Sequence, residues 1–97
     1  MVVHIVMIKL KEEFNNKSTK EIIKEKIQSL IKTVPSLEEM EVGINFSSEE
    51  RAMDLVLTAK FKDKKALQEY AIDPSHKEVI EFIKERALYT KVVDYQK

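Results

Sequence analysis

Two segments that read as β-strands are apolar on both of their alternation faces, and nothing else in the sequence restricts the fold as strongly. From Val2 to Leu10, Val2, Val6, Ile8 and Leu10 share one face with His4, while Val3, Ile5 and Met7 line the other. From Met53 to Phe61, the residues Met53, Leu55, Leu57, Ala59 and Phe61 share a face, and Val56 adds an apolar group to the opposite one. An antiparallel sheet with one wet side normally alternates apolar and polar residues, so these strands call for a covering layer on each side.

The remaining elements follow in a regular order. Ser18-Thr19-Lys20-Glu21 has capping-box spacing ahead of Ile22, Ile23, Ile27, Leu30, Ile31 and Val34, which predicts a first helix ending near Thr33, before Pro35. Met40 to Ser47 alternates as a second strand, with Met40, Val42, Ile44 and Phe46 on one face. A polar turn over Ser47 to Arg51 links it to the third strand, which suggests a hairpin. Asp63 can cap a short helix carrying Ala66, Leu67, Tyr70 and Ala71. Asp73-Pro74 breaks that helix and starts another, whose stripe is Val79, Ile80, Ile83 and Ala87. Leu88 to Tyr95 is the last strand.

The order β-α-β-β-α-β predicts a ferredoxin-like α+β fold: one four-stranded antiparallel sheet with the helices on a single face, as one domain over residues 1–97. The other sheet face is then bare and partly apolar. A homodimer joined through that face is the expected cover, because a two-fold interface is self-complementary.

Bulk properties remove several classes of function. Lys plus Arg and Asp plus Glu number 17 each, so no net field draws in nucleic acid or an anionic membrane. With no cysteine there is no disulfide, thiolate nucleophile or Cys-based metal site. No uninterrupted apolar run approaches the roughly 20 residues of a membrane helix, and Met1 to Leu10 lacks a basic leader segment. The default expectation is a soluble cytoplasmic protein without a cofactor. Asp54, Asp73 and Asp94 are scattered, and no spacing among them predicts a metal site. Gly43, the sole glycine, falls mid-strand, where a bulge or close backbone approach is the structural reading.

The segments Val3-His4-Ile5-Val6-Met7-Ile8-Lys9-Leu10, Glu41-Val42-Gly43-Ile44-Asn45-Phe46, Asp54-Leu55-Val56-Leu57, Tyr70 to His76 and Val92-Val93-Asp94-Tyr95 together resemble the stress-responsive A/B barrel (Dabb) domains. The resemblance implies a homodimeric α+β barrel in which two sheets face each other with the helices outside. One plant member of that family is a polyketide cyclase that performs an intramolecular aldol closure. A strand-one His, a Tyr and a His six residues after that Tyr line its pocket, and His4, Tyr70 and His76 match those places. The cyclase also carries a Tyr on helix one, where Lys26 and Ile27 stand here.

The chemistry of these residue types agrees with the resemblance. His76 is the third helical residue after the Asp73 cap, and the positive helix end disfavours imidazolium. A neutral imidazole can take a proton from the carbon beside a carbonyl, and Tyr70 could donate a hydrogen bond to the resulting enolate. His4, on an apolar strand face, needs a polar partner and would orient the others. Against this stand plainer roles: a helix-capping or surface His76, a core Tyr70 and a structural His4. The expected ligand is a small apolar or carbonyl-bearing molecule held between helices and sheet. A cofactor-independent enzyme with His76 as base, Tyr70 as donor and His4 as orienting group is the alternative.

Overall fold

The two-faced apolar strands occupy the middle of the sheet. In a computed structural model describing residues 1–97, the chain runs β1 (Val2–Leu10), α1 (Lys17–Gln28), α2 (Leu30–Thr33), β2 (Leu37–Ile44), β3 (Leu55–Phe61), α3 (Lys64–Ile72), α4 (Pro74–Arg86) and β4 (Ala87–Gln96). The strands lie in the order β2-β3-β1-β4, every neighbouring pair antiparallel. This is the expected four-stranded ferredoxin-like α+β fold.

Strand register fixes which side chains meet the helices. Val42, Leu57, Val6 and Val92 form one row across the sheet, and Met40, Ala59, His4 and Asp94 form the next. On the β2 and β3 side this face is packed: Ile23, Ile27 and Leu30 join Leu55, Ala59 and Phe61 in one buried cluster. Burying a side chain as large as Phe61, which is fully enclosed, contributes roughly 1.5–3 kcal/mol.

Local chemistry sets the element ends. The Asp63 carboxylate accepts from the Ala66 amide at 2.9 Å, and Asp73 accepts from the Ser75 amide at 2.8 Å with Pro74 opening the helix. The first helix departs from expectation. Its cap is Asn16, whose side chain accepts from Thr19 N at 2.8 Å, so Ser18 lies inside the helix. The helix also breaks at Ser29, whose hydroxyl donates to the Lys26 carbonyl at 2.6 Å.

The second strand is Leu37–Ile44 and not Met40–Ser47. A register shift between Leu37 and Glu39 hides its first residues from an alternation count. Its end is set by Asn45, which bonds Ser47 through both its amide nitrogen (2.7 Å) and its carbonyl oxygen (3.1 Å) and turns the chain away, Phe46 with it. The connection from Asn45 to Asp54 is therefore longer than a tight hairpin turn. Asp54 ties its far end down: its amide donates to the Ile8 carbonyl at 2.8 Å, and its buried carboxylate accepts from Leu10 N at 2.7 Å. The third strand starts only after it, at Leu55. Gly43 carries no bulge; a Cβ there would meet Val56 Cγ1 at 3.4 Å, an ordinary contact.

The sheet face away from the helices is uneven. Val3 is buried, Ile5 and Met7 are only half-buried, and β4 is exposed along its whole length after Ala87. In a single protomer, then, β1 is not buried on both sides as its composition suggests. No helix is long and apolar enough to cross a membrane.

Candidate functional site

On the β4 side of the helix-covered face, the packing opens into a cavity of about 480 Å³. Its walls are largely apolar, with Val6, Ile8 and Leu57 from the sheet and Ile80 and Ile83 from α4, and His4, Tyr70 and His76 all reach it. The register explains the location. β4 is an edge strand, and α4 leaves Thr90 and Val92 uncovered on the helix side of that edge. A mostly apolar hollow with a few convergent polar groups is the ordinary form of a small-molecule site.

The polar groups form a connected chain of rings. Tyr70 and His76 have centroids 4.0 Å apart, His4 and Tyr70 are edge-on at 6.1 Å, and Phe61 closes against Tyr70 at 5.0 Å. The break at Asp73-Pro74 produces this cluster. Tyr70 belongs to the last turn of α3 and His76 to the first turn of α4, and the corner between them folds one ring onto the other.

Each ring has a different environment. His4 Nδ1 is bonded to an Asp94 side-chain oxygen directly across the β1–β4 ladder, which fixes the imidazole's orientation. Tyr70 is 2 % exposed, and burial pushes its phenol well above the ordinary tyrosine range, so it stays protonated and can donate a hydrogen bond throughout the physiological range. The ring belongs to the buried core and also lines the cavity, so Tyr70 serves both packing and site.

His76 is neither a capping group nor a surface side chain. Its Nδ1 is buried without a hydrogen-bond partner; the Ala71 carbonyl lies near enough to favour the charged ring but not in bonding geometry. Burial lowers the His76 pKa below the ordinary imidazole value and His4 adds to the effect, while Asp73 opposes it. Desolvation is thus the leading cause, where the sequence pointed to the helix end.

Asp94 is the residue that reading the sequence missed as part of this site. Its signal was the pairing of first and last strands, which sets it opposite His4. Asp54 and Asp73 serve as a loop anchor and a helix cap, and no group of three His, Asp or Glu side chains is placed to hold a metal ion. At the place of the helix-one tyrosine, Ile27 is buried in the core and the Lys26 ammonium lies 4.7 Å from the Phe82 ring centroid.

Comparison with known proteins is consistent along the chain. The family model described as Stress responsive A/B Barrel Domain matches residues 2–97. A crystal structure of an Arabidopsis thaliana protein superposes with a TM-score of 0.89 at 19 % identity, covering 100 % of this chain and 95 % of its own. A dimeric protein of unknown function and ferredoxin-like fold from Bacteroides fragilis gives 0.85 at 25 % identity, covering 99 % and 95 %. Hydroxynitrile lyase from Passiflora edulis gives 0.84 at 18 % identity, covering 97 % and 90 %. No curated protein matches the sequence.

Proposed function

This chain belongs to the stress-responsive A/B barrel family, and on that premise we propose that it works as a homodimer, joined through the bare sheet face, that binds a small, mostly apolar, carbonyl-bearing molecule in the cavity beneath α4. The observation that carries this reading is the convergence of three polar rings, His4, Tyr70 and His76, on one largely apolar hollow. A ligand carbonyl that accepts from the Tyr70 hydroxyl adds a hydrogen bond, about 0.5–1.5 kcal/mol net, to its apolar burial. A ketone or ester carbonyl accepts from Tyr70 while its alkyl part lies along Val6, Ile8 and Ile80. Dimeric relatives of the same fold, including the protein from Bacteroides fragilis, support the assembly.

Calorimetric titration with a medium-chain methyl ketone tests the reading. Saturable binding that weakens at least tenfold in Tyr70→Phe is expected; equal binding by the variant would place the ligand elsewhere.

A second reading is favoured by the neutral, desolvated His76. With the carbonyl oxygen on Tyr70, the carbon beside the carbonyl falls within reach of a neutral imidazole, and His76 acts as base toward it while Tyr70 stabilises the developing enolate. His4, held by Asp94, orients the pair. This is the chemistry of an aldol-type closure or a related cofactor-independent reaction. Proton NMR in deuterium oxide reads it directly: the bound ketone should exchange its α-hydrogens faster than in buffer, and His76→Ala should abolish the gain. Binding without exchange leaves the binding protein and removes the base.

A further inference from the structure

The hollow is polar at both ends and apolar between them. At one end stand His4, Tyr70 and His76, and at the other Lys84 and Thr90 line the same walls. The separation can be read from two elements. His76 and Lys84 are eight residues apart on α4, about 12 Å along a helix axis. His4 and Ile8, the latter paired with Thr90, are four residues apart on β1, roughly 13 Å along a strand. Ile80 and Ile83 from the helix and Val6 from the sheet fill the interval.

Lys84 is the only Lys or Arg on these walls, and no Asp or Glu lines them. It takes part in none of the chain's ion pairs, and Asp94, the carboxylate at the site, is held by His4 at the far end. Glu81 and Glu85 neighbour Lys84 in sequence, but neither lines the cavity, and Glu85 is paired with Arg86. An exposed lysine is ordinarily a solvated surface group, and in the last turn of α4 a positive charge also suits the helix end. Those roles make no demand on which face of the helix carries the charge. Here it falls on the stripe of His76, Ile80 and Ile83, so the lysine stem borders the hollow while its ammonium stays in water.

We propose that the molecule held in the cavity is a keto acid, and that Lys84 selects it by pairing with a carboxylate at the end away from the carbonyl. The carbonyl accepts from Tyr70, the alkyl chain crosses Val6 and Ile80, and the carboxylate meets the Lys84 ammonium with the Thr90 hydroxyl as a second donor. One cation and one hydroxyl suit a singly charged carboxylate. With no second Lys or Arg on the walls, a phosphate dianion would be left half neutralised. This rests on the cavity reading above, and it adds to that reading the far end of the ligand and the residue that recognises it.

Calorimetry compares the medium-chain methyl ketone, the same ketone carrying a carboxylate at its far end, and a short keto acid that cannot span the hollow. At low salt the long keto acid should bind about fivefold more tightly than the ketone, an advantage that shrinks as ionic strength rises. The short keto acid should show no such gain. Lys84→Gln should bind the two long probes equally, and Lys84→Arg should restore the difference between them. A preference that persists in Lys84→Gln, or its absence in the unmodified chain while the ketone binds through Tyr70, overturns the assignment of Lys84 and leaves the cavity reading intact. Failure of every probe to bind would overturn that reading, and the keto acid with it.

Discussion

The two halves of the helix-covered sheet face are built from similar residues and come out differently. Beneath α1 and α2, Ile23, Ile27, Leu30, Leu55 and Phe61 pack at 2 % exposure or less. Beneath α4, Ile80 and Val6 are only half-buried and a hollow of about 480 Å³ persists. The difference lies in what each half has opposite it. Both β2 and β4 are edge strands, but α1 and α2 cover β2, where Leu37 and Val42 are buried, while α4 leaves Leu88, Thr90 and Val92 of β4 exposed. The covered half is closed by packing, and the incompletely covered half holds the polar rings His4, Tyr70 and His76.

Truncation in the two halves should separate them most widely. Phe61→Ala is expected to lose about 3–5 kcal/mol of unfolding free energy, because it removes a fully enclosed ring from a rigid core. Ile80→Ala, on the cavity wall, should lose less than about 1.5 kcal/mol, since part of its surface already faces empty space. Urea denaturation measures both, and equal losses would abolish the distinction.

Enlargement should act in the opposite sense. Ala59→Leu, at a fully buried site between packed strands, should destabilise by about 1–3 kcal/mol through overpacking. Thr90→Leu, on the helix side of β4, should leave stability within about 0.5 kcal/mol and weaken ketone binding by occupying the hollow. A destabilised Thr90→Leu would mean that the space is not free.

The pH response sharpens the comparison on the hollow side. The folded His76 pKa lies below the unfolded value, ordinarily about 6.5, so the unfolded chain binds more protons as pH falls past that value. Stability is complete above about pH 6.5 and declines as pH falls toward the folded pKa. His76→Gln should flatten that decline, as followed by thermal unfolding across the interval. The Tyr70 phenol, raised by burial, contributes fully below about pH 10 and is lost only as pH rises toward its folded value. The smallest effect belongs to Tyr70→Phe, which should change stability at pH 7 by no more than about 0.5 kcal/mol, since it keeps the packed ring and removes only the hydroxyl of a cavity-lining residue.

The sequence was most legible where one residue acts alone on its own backbone. Asp63 and Asp73-Pro74 announce their helices, and the alternation of Leu55, Leu57, Ala59 and Phe61 gives a core-facing row. It was least legible where a side chain redirects the chain against its hydrophobic pattern. Phe46 continues the apolar alternation of β2, yet Asn45 bonds Ser47 and carries it off the sheet. Asn16 takes the capping role that the Ser18-to-Glu21 spacing advertises, because its oxygen reaches Thr19 N first along the chain. For the candidate site, three of the four polar residues could be named from the sequence. Asp94 could not, since its role depends on the register between the first and last strands, and the displaced histidine pKa depends on enclosure that no spacing reports.

The central claim is that His76 stands beside a ligand cavity with its imidazole held below the ordinary pKa, and one NMR experiment addresses it directly. The chain has only two histidines, so both imidazoles can be followed through a pH titration, with and without the methyl ketone. The account predicts that His76 titrates below about 6.5 and that its resonances move when the ketone is added. A His76 that titrates at or above that value, with resonances unmoved by a ketone shown calorimetrically to bind, would contradict it.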